Sequence, residues 1–138
     1  MTQFRRVAAA TIASALLAIS LTGCDGGQSK LEACANIITS LTDVTAALNE
    51  SAQSFQKDPA GSAALVEKAA NNFGATVDKV TNSDVRSAAV AANEQIARLS
   101  DQYVAIANDP ASANADELTA AGDRTRAAME DLQAACVS

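Results

Sequence analysis

The chain has no histidine and no tryptophan, one tyrosine and three phenylalanines, and only two prolines and six glycines in 138 residues. Each shortage excludes something. Without histidine the commonest general base and the commonest metal ligand are missing. The Glu-x-x-His pairs that hold metals inside many helical bundles cannot be built. The sequence has no G-x-S-x-G, no P-loop, no G-x-G-x-x-G and no calcium loop. The expectation is a protein that is not an enzyme and holds no metal. Basic residues are also scarce: 10 Lys and Arg stand against 16 Asp and Glu, a formal net charge of −6. A chain without a basic patch is not expected to bind nucleic acid. What is abundant is alanine, with Leu, Glu, Gln and Arg beside it. That is a helix composition with few interruptions, and it predicts an all-α fold.

One long apolar run exists, at the start. Arg5 and Arg6 precede an apolar and small stretch from Val7 to Ser20. A short basic region before about 7–15 apolar residues has the layout of a secretory signal, and it falls short of the roughly 20 residues of a membrane span. The run stops at Leu21-Thr22-Gly23-Cys24, followed at once by the polar DGGQSK. That tetrapeptide resembles the lipobox of bacterial lipoproteins. The resemblance implies cleavage after residue 23. It also implies a diacylglycerol thioether on Cys24, with or without an N-acyl group, as the only covalent cofactor. It places the mature chain on the extracytoplasmic face of the bacterial cell membrane, held by its lipids. Two acyl chains suffice for stable anchoring where one does not. In a host with two membranes, Asp25 resembles an inner-membrane retention signal. Residues 24–30 are expected to form a flexible tether that holds the domain off the surface. Loss of Arg5 and Arg6 takes the net charge from −6 to −8, a solvating balance.

Residues 31–138 are enough for one domain with one modest core. Four stretches carry apolar or small residues in steps of three and four. The first runs Leu31, Cys34, Ile38, Leu41, Thr45, Leu48, Ala52, Phe55, widened by Ile37 and Val44. The second runs Val66, Ala69, Phe73, Val77, Val80. The third runs Val85, Ala89, Ala92, Ile96, Leu99, Tyr103, Ile106. The fourth runs Leu118, Ala121, Thr125, Met129, Leu132, Cys136. Such seams mark helices packed nearly parallel to their neighbours. Asp58-Pro59, Asn82-Ser83 and Asn114 with Glu117 supply start signals. The predicted helices are 30–57, 59–81, 83–108 and 114–136, in an up-down-up-down four-helix bundle. A shift of 51 residues lays Asp58-Pro59-Ala60 on Asp109-Pro110-Ala111 and Leu48 on Leu99. A duplicated hairpin and two unrelated heptad helices both account for that register.

In this topology Cys34 and Cys136 fall on seams at the same pole, within reach of a disulfide bond. An extracytoplasmic setting permits it, and with Cys24 lipidated only one pairing remains. Two buried thiols are the alternative. A redox-active pair is disfavoured, because no C-x-x-C occurs.

Polar residues offer little chemistry. Asp116-Glu117 and Glu130-Asp131 are adjacent, so neither pair shares a helix face. The first suits a helix N-terminus and the second a solvated face. Arg124 and Arg126 have Asp123 and Glu130 as partners. Tyr103 joins a ring to a hydroxyl on a seam. It is read as a core residue or, with Thr45, Phe73 and Met129, as part of a small apolar pocket between helices. Two roles remain open: a helical interaction module for an envelope protein partner, and a ligand-binding or carrier lipoprotein with a pocket in the bundle. Alanines outside the seams (Ala88, Ala91, Ala105 and Ala107) are candidates for a flat docking face under the first role.

Overall fold

The computed structural model describes residues 27–138. The signal segment and the lipobox residues Leu21, Thr22, Gly23 and Cys24 lie outside the described residues. The fold is all-α, an up-down-up-down four-helix bundle. Its helices are α1 (Lys30–Ser54), α2 (Pro59–Val77), α3 (Ser83–Asn108) and α4 (Ala115–Val137), with a single 3-10 turn at Pro110–Ser112 before α4. No strand occurs among the described residues. None of the described helices is long and apolar enough to cross a membrane.

Each helix begins where a side chain satisfies its first free N–H groups. Asp58 Oδ1 accepts from Gly61 N at 2.9 Å, with Pro59 in the first helical turn. Asn82 Oδ1 accepts from Val85 N at 3.2 Å. Asn114 Oδ1 accepts from both Asp116 N and Glu117 N. Ser29, which the sequence pattern did not single out, caps α1 by accepting from Glu32 N at 3.2 Å.

Two helices stop earlier than their periodicity suggests. The first ends at Ser54 rather than 57. There the chain turns, and the Ser54 and Ser62 hydroxyls meet across the turn at 2.8 Å. The second ends at Val77 rather than 81. Val80 is nonetheless fully buried, because Arg86 Nη1 donates to its carbonyl at 2.7 Å and folds the connection onto the core.

The stretch expected to be a free tether is partly fixed. Gln28 N donates to Thr81 Oγ1 at 2.8 Å, tying the chain to the α2–α3 turn. Ser29 is the cap of α1, and Lys30 already belongs to the helix.

The core gathers around Phe73, Ile37, Ile96, Leu132, Val44 and Val85, with alanines such as Ala33, Ala89 and Ala92 where helices approach closely. The seam of α2 lies inward as spaced, and so does that of α3 through Leu99; of the α4 seam Ala121, Thr125 and Leu132 are buried, while Leu118, Met129 and Cys136 are half-buried. That of α1 is rotated. Its buried line is Ala33, Cys34, Ile37, Leu41, Val44, Ala47 and Ser51. Leu31 and Ile38 are 84% and 46% exposed, and Thr45 and Ala52 are exposed too. The cause is in the packing. Each helix packs along its length on its chain neighbours, whereas α1 and α4 meet over only a short stretch. α1 therefore buries the face turned to α2 and α3 and leaves its α4-facing side open.

Cys34 and Cys136 are joined as a disulfide, with Cα atoms 5.6 Å apart and a sequence separation of 102. It closes the ring of helices at one pole. In the chain-entropy account, a bridge across about 100 residues stabilises by roughly 4–5 kcal/mol. The double substitution Cys34→Ala with Cys136→Ala is expected to lower the unfolding free energy by about that much. Urea titration followed by circular dichroism checks it. A loss under about 1 kcal/mol would show that the helices close without the bridge.

Candidate functional site

Because α1 and α4 are held together at one pole only, a groove opens between them along the rest of their length, with α3 as its floor. Leu48, Leu99, Tyr103, Leu118, Gly122 and Met129 line its central part, a cleft of about 490 Å³. It continues toward the far pole as a second depression of about 440 Å³ beside Phe55 and Ile106, sharing Tyr103 and Leu118. Toward the disulfide pole it runs past Ile38, Thr42 and Gln133. The exposed half of the first seam therefore forms one wall of this groove.

Three of the four expected pocket residues meet there: Tyr103, Thr45 and Met129 all line the central part. Phe73 does not. Its side chain is completely buried in the core with Ile37 and Ile96. The spacing that puts it on the seam of α2 points it at the side where the bundle is closed. The docking face expected of isolated alanines does not form as one surface either: Ala88 packs against the core, while Ala91 and Ala105 are exposed.

Tyr103 is the polar feature of the floor. Its ring meets Phe55 edge to face, with centroids 5.3 Å apart and planes at 86°, a favoured aromatic geometry. Burial pushes its hydroxyl above the ordinary tyrosine value, and the neighbouring Ser51 hydroxyl draws it partway back. Ser51 Oγ is fully buried and has no partner in good hydrogen-bonding geometry. The two hydroxyls thus make a close polar approach rather than a well-formed bond, and desolvation of Tyr103 dominates.

Thr125 lines the groove but turns its hydroxyl inward, donating to the Gln95 carbonyl at 3.2 Å and tying α4 to α3. On the rim, Arg126 pairs with Asp123 one turn before it. Only Arg126 and Glu130 bring charge to the central part, and none of the residues around the second depression is charged. On an acidic protein this is a neutral, apolar strip.

Sequence reasoning missed Gly122, and its signal was legible. It is the lone glycine in the interior of α4, where glycine costs about 0.5–1 kcal/mol relative to alanine. A Cβ built there meets nothing within 4 Å. The missing side chain is therefore groove volume, not relief of a clash. A separate cleft of about 410 Å³ between α1 and α2 is lined mainly by amides and hydroxyls such as Asn36, Thr39, Asn72 and Thr76.

The geometry offers an apolar seat with one hydroxyl in its floor. It offers no nucleophile–base pair. No cluster of three or more His, Cys, Asp or Glu side chains suited to a metal occurs among the described residues.

As Tyr103 is the only tyrosine, its ionisation can be followed by ultraviolet absorbance without ambiguity. The midpoint in the folded protein is expected above that of the urea-unfolded chain. A group whose folded pKa is raised loses its contribution to stability as pH rises. Tyr103 should therefore leave stability unchanged below about pH 10 and erode it above. Equal midpoints in the two states would place the hydroxyl in water. No protein-family model matches this sequence, and neither does any curated protein or solved structure, so the groove's role rests on its own geometry.

Proposed function

We propose that the chain is a membrane-anchored cell-envelope lipoprotein whose bundle acts as a helical interaction module. It receives its partner in the groove between α1 and α4. The observation that carries this reading is the half-covered seam of α1. Ile38, Thr45, Leu48, Ala52 and Phe55 recur at helical spacing along a groove wall that no helix of the described chain covers. A seam of this kind suits an apolar helix face from another protein. The anchor is read from Leu21-Thr22-Gly23-Cys24, with a diacylglycerol on Cys24 holding the bundle at the extracytoplasmic face of the membrane. The role is one of binding, without catalysis and without a metal, in keeping with a chain that lacks histidine.

A second reading is favoured by the size of the groove. About 490 Å³, with Leu48, Leu99, Leu118 and Met129 around the Tyr103 hydroxyl and polar groups such as Thr45, Asn49 and Gln133 beside them, is within the range of small-molecule sites. Under it, the bundle carries an apolar ligand of low charge.

Native mass spectrometry of protein gently extracted from its own membranes separates the two. Co-purifying protein supports the interaction module, and a bound small molecule supports the carrier. The substitution Gly122→Leu ties either result to the groove. Its side chain has open space to enter, and removing a mid-helix glycine is expected to raise stability by about 0.5–1 kcal/mol. The variant should stay folded, melt no lower than the parent and lose the bound mass. Retention of that mass with the groove filled would place the binding site elsewhere.

A further inference from the structure

We infer that the disulfide pole of the bundle is a membrane-docking surface, which sits directly on the lipid surface. The inference rests on the anchor at Cys24 proposed above and adds an orientation to it. The pole is formed by the start of α1, the α2–α3 turn and the end of α4.

Its first mark is apolar. Leu31, in the first turn of α1, is 84% exposed, and Val137, the last residue of α4, is 86% exposed. The other exposed large hydrophobics, Ile38 and Val90, are only 46% and 39% exposed and lie along the sides. Single exposed apolar residues are ordinary on a protein surface. Here the two most exposed flank one bridge: Leu31 is one helical turn outward from Cys34, and Val137 adjoins Cys136.

The second mark is reach. Gln28 is bonded to Thr81 at this same pole. Cys24 is three residues before Gly27, so the chain between them spans on the order of 10 Å at most. A lipid on Cys24 therefore leaves the pole no farther than that from the headgroups. Apolar side chains at that depth gain by entering the interface.

The third mark is charge. At the disulfide pole Lys30, Lys79 and Arg86 stand against Glu32, Asp78 and Asp84, with Asp25 in the segment before them. At the opposite pole Lys57 stands alone against Asp58, Asp109, Asp116 and Glu117. An anionic bilayer repels the second pole and tolerates the first. With the disulfide pole down, the apolar groove stands upright on the membrane and its far end points into the space beyond.

The chain has no tryptophan, so a single one reports its own surroundings. Leu31→Trp, Val137→Trp and, at the far pole, Ala111→Trp are each made in the full chain and processed by the host. Intact mass then shows whether the lipid is present, and circular dichroism shows whether the helices are. The proteins are reconstituted into vesicles of phosphatidylcholine and phosphatidylglycerol with bromine on the acyl chains. The two disulfide-pole variants are expected to emit farther to the blue and to lose about half of their fluorescence to bromine, as an indole at the interface does. Ala111→Trp should be unaffected. Lipidated protein with all three tryptophans unquenched would overturn the docking and leave the anchor standing. Quenching of Ala111→Trp as strong as that of the other two would overturn it as well, in favour of a bundle lying on its side. A mass without lipid would remove the anchor reading and the docking together.

Discussion

The bond between Cys34 and Cys136 is the constraint on which the architecture turns. Three of the four helix–helix contacts of an up-down-up-down ring are made by neighbours joined through short connections. The fourth, between α1 and α4, has to be made by the two ends of the chain. An alanine-rich core supplies little area per residue to drive that closure. α4 itself fully buries only Ala121, Thr125 and Leu132. A covalent link across 102 residues makes the closure at one pole. It does so chiefly by restricting the unfolded chain, not by adding contacts to the folded one. Its effect is local, and so α1 and α4 stay apart over most of their length.

The groove follows from that incomplete closure. In a bundle closed along all four seams, Leu48, Leu118 and Met129 would face one another in the core. Here they line an open cleft with Tyr103 between them. The chain tolerates the exposure in part because the groove is partly filled by its own rings, Phe55 against Tyr103. It also ties α4 to α3 by a hydrogen bond from Thr125 to Gln95, which does not involve α1. Gly122 has the opposite character. It gives up helix propensity and fills no space, in a helix otherwise rich in alanine. Such a local inconsistency is expected where a site, rather than the fold, sets the residue.

Much of this was legible in the sequence, and the boundary of what was legible is physical. Helix starts could be read because a cap is a local event: Asp58, Asn82 and Asn114 each satisfy donors two or three residues on. The disulfide could be read because the poles of an up-down-up-down bundle follow from helix count alone. The phase of α1 could not. Cys34 and Leu41 belong to both candidate seams, and Ile37 with Val44, though more apolar than Ile38 with Thr45, fits equally well as the widening of one broad stripe. Tertiary packing decides which set is buried, and what decides it is that α1 meets α4 over only a short stretch. The same cause put Phe73 in the wrong place: seam membership says that a side chain points inward, not into which interface. The second helix ran past its true end because Val80 is buried by the fold of a turn, not by a helix.

The two halves of the reading meet in the geometry of α1. This helix begins six residues after the proposed lipid-bearing cysteine, is pinned at its start by Gln28 and Ser29, and carries the groove wall from Ile38 to Phe55. Whatever fixes its base relative to the membrane also fixes the direction of the groove. A long, freely jointed tether would make the bundle's orientation irrelevant, because any face could then meet a partner by rotation. With Cys24 anchored as proposed, a tether of three residues would remove most of that freedom. Anchor, clasp and groove are thus coupled through one rigid element. An altered spacing between Cys24 and Gln28 should change which partners can reach the groove, even though every residue that lines it is left as it was.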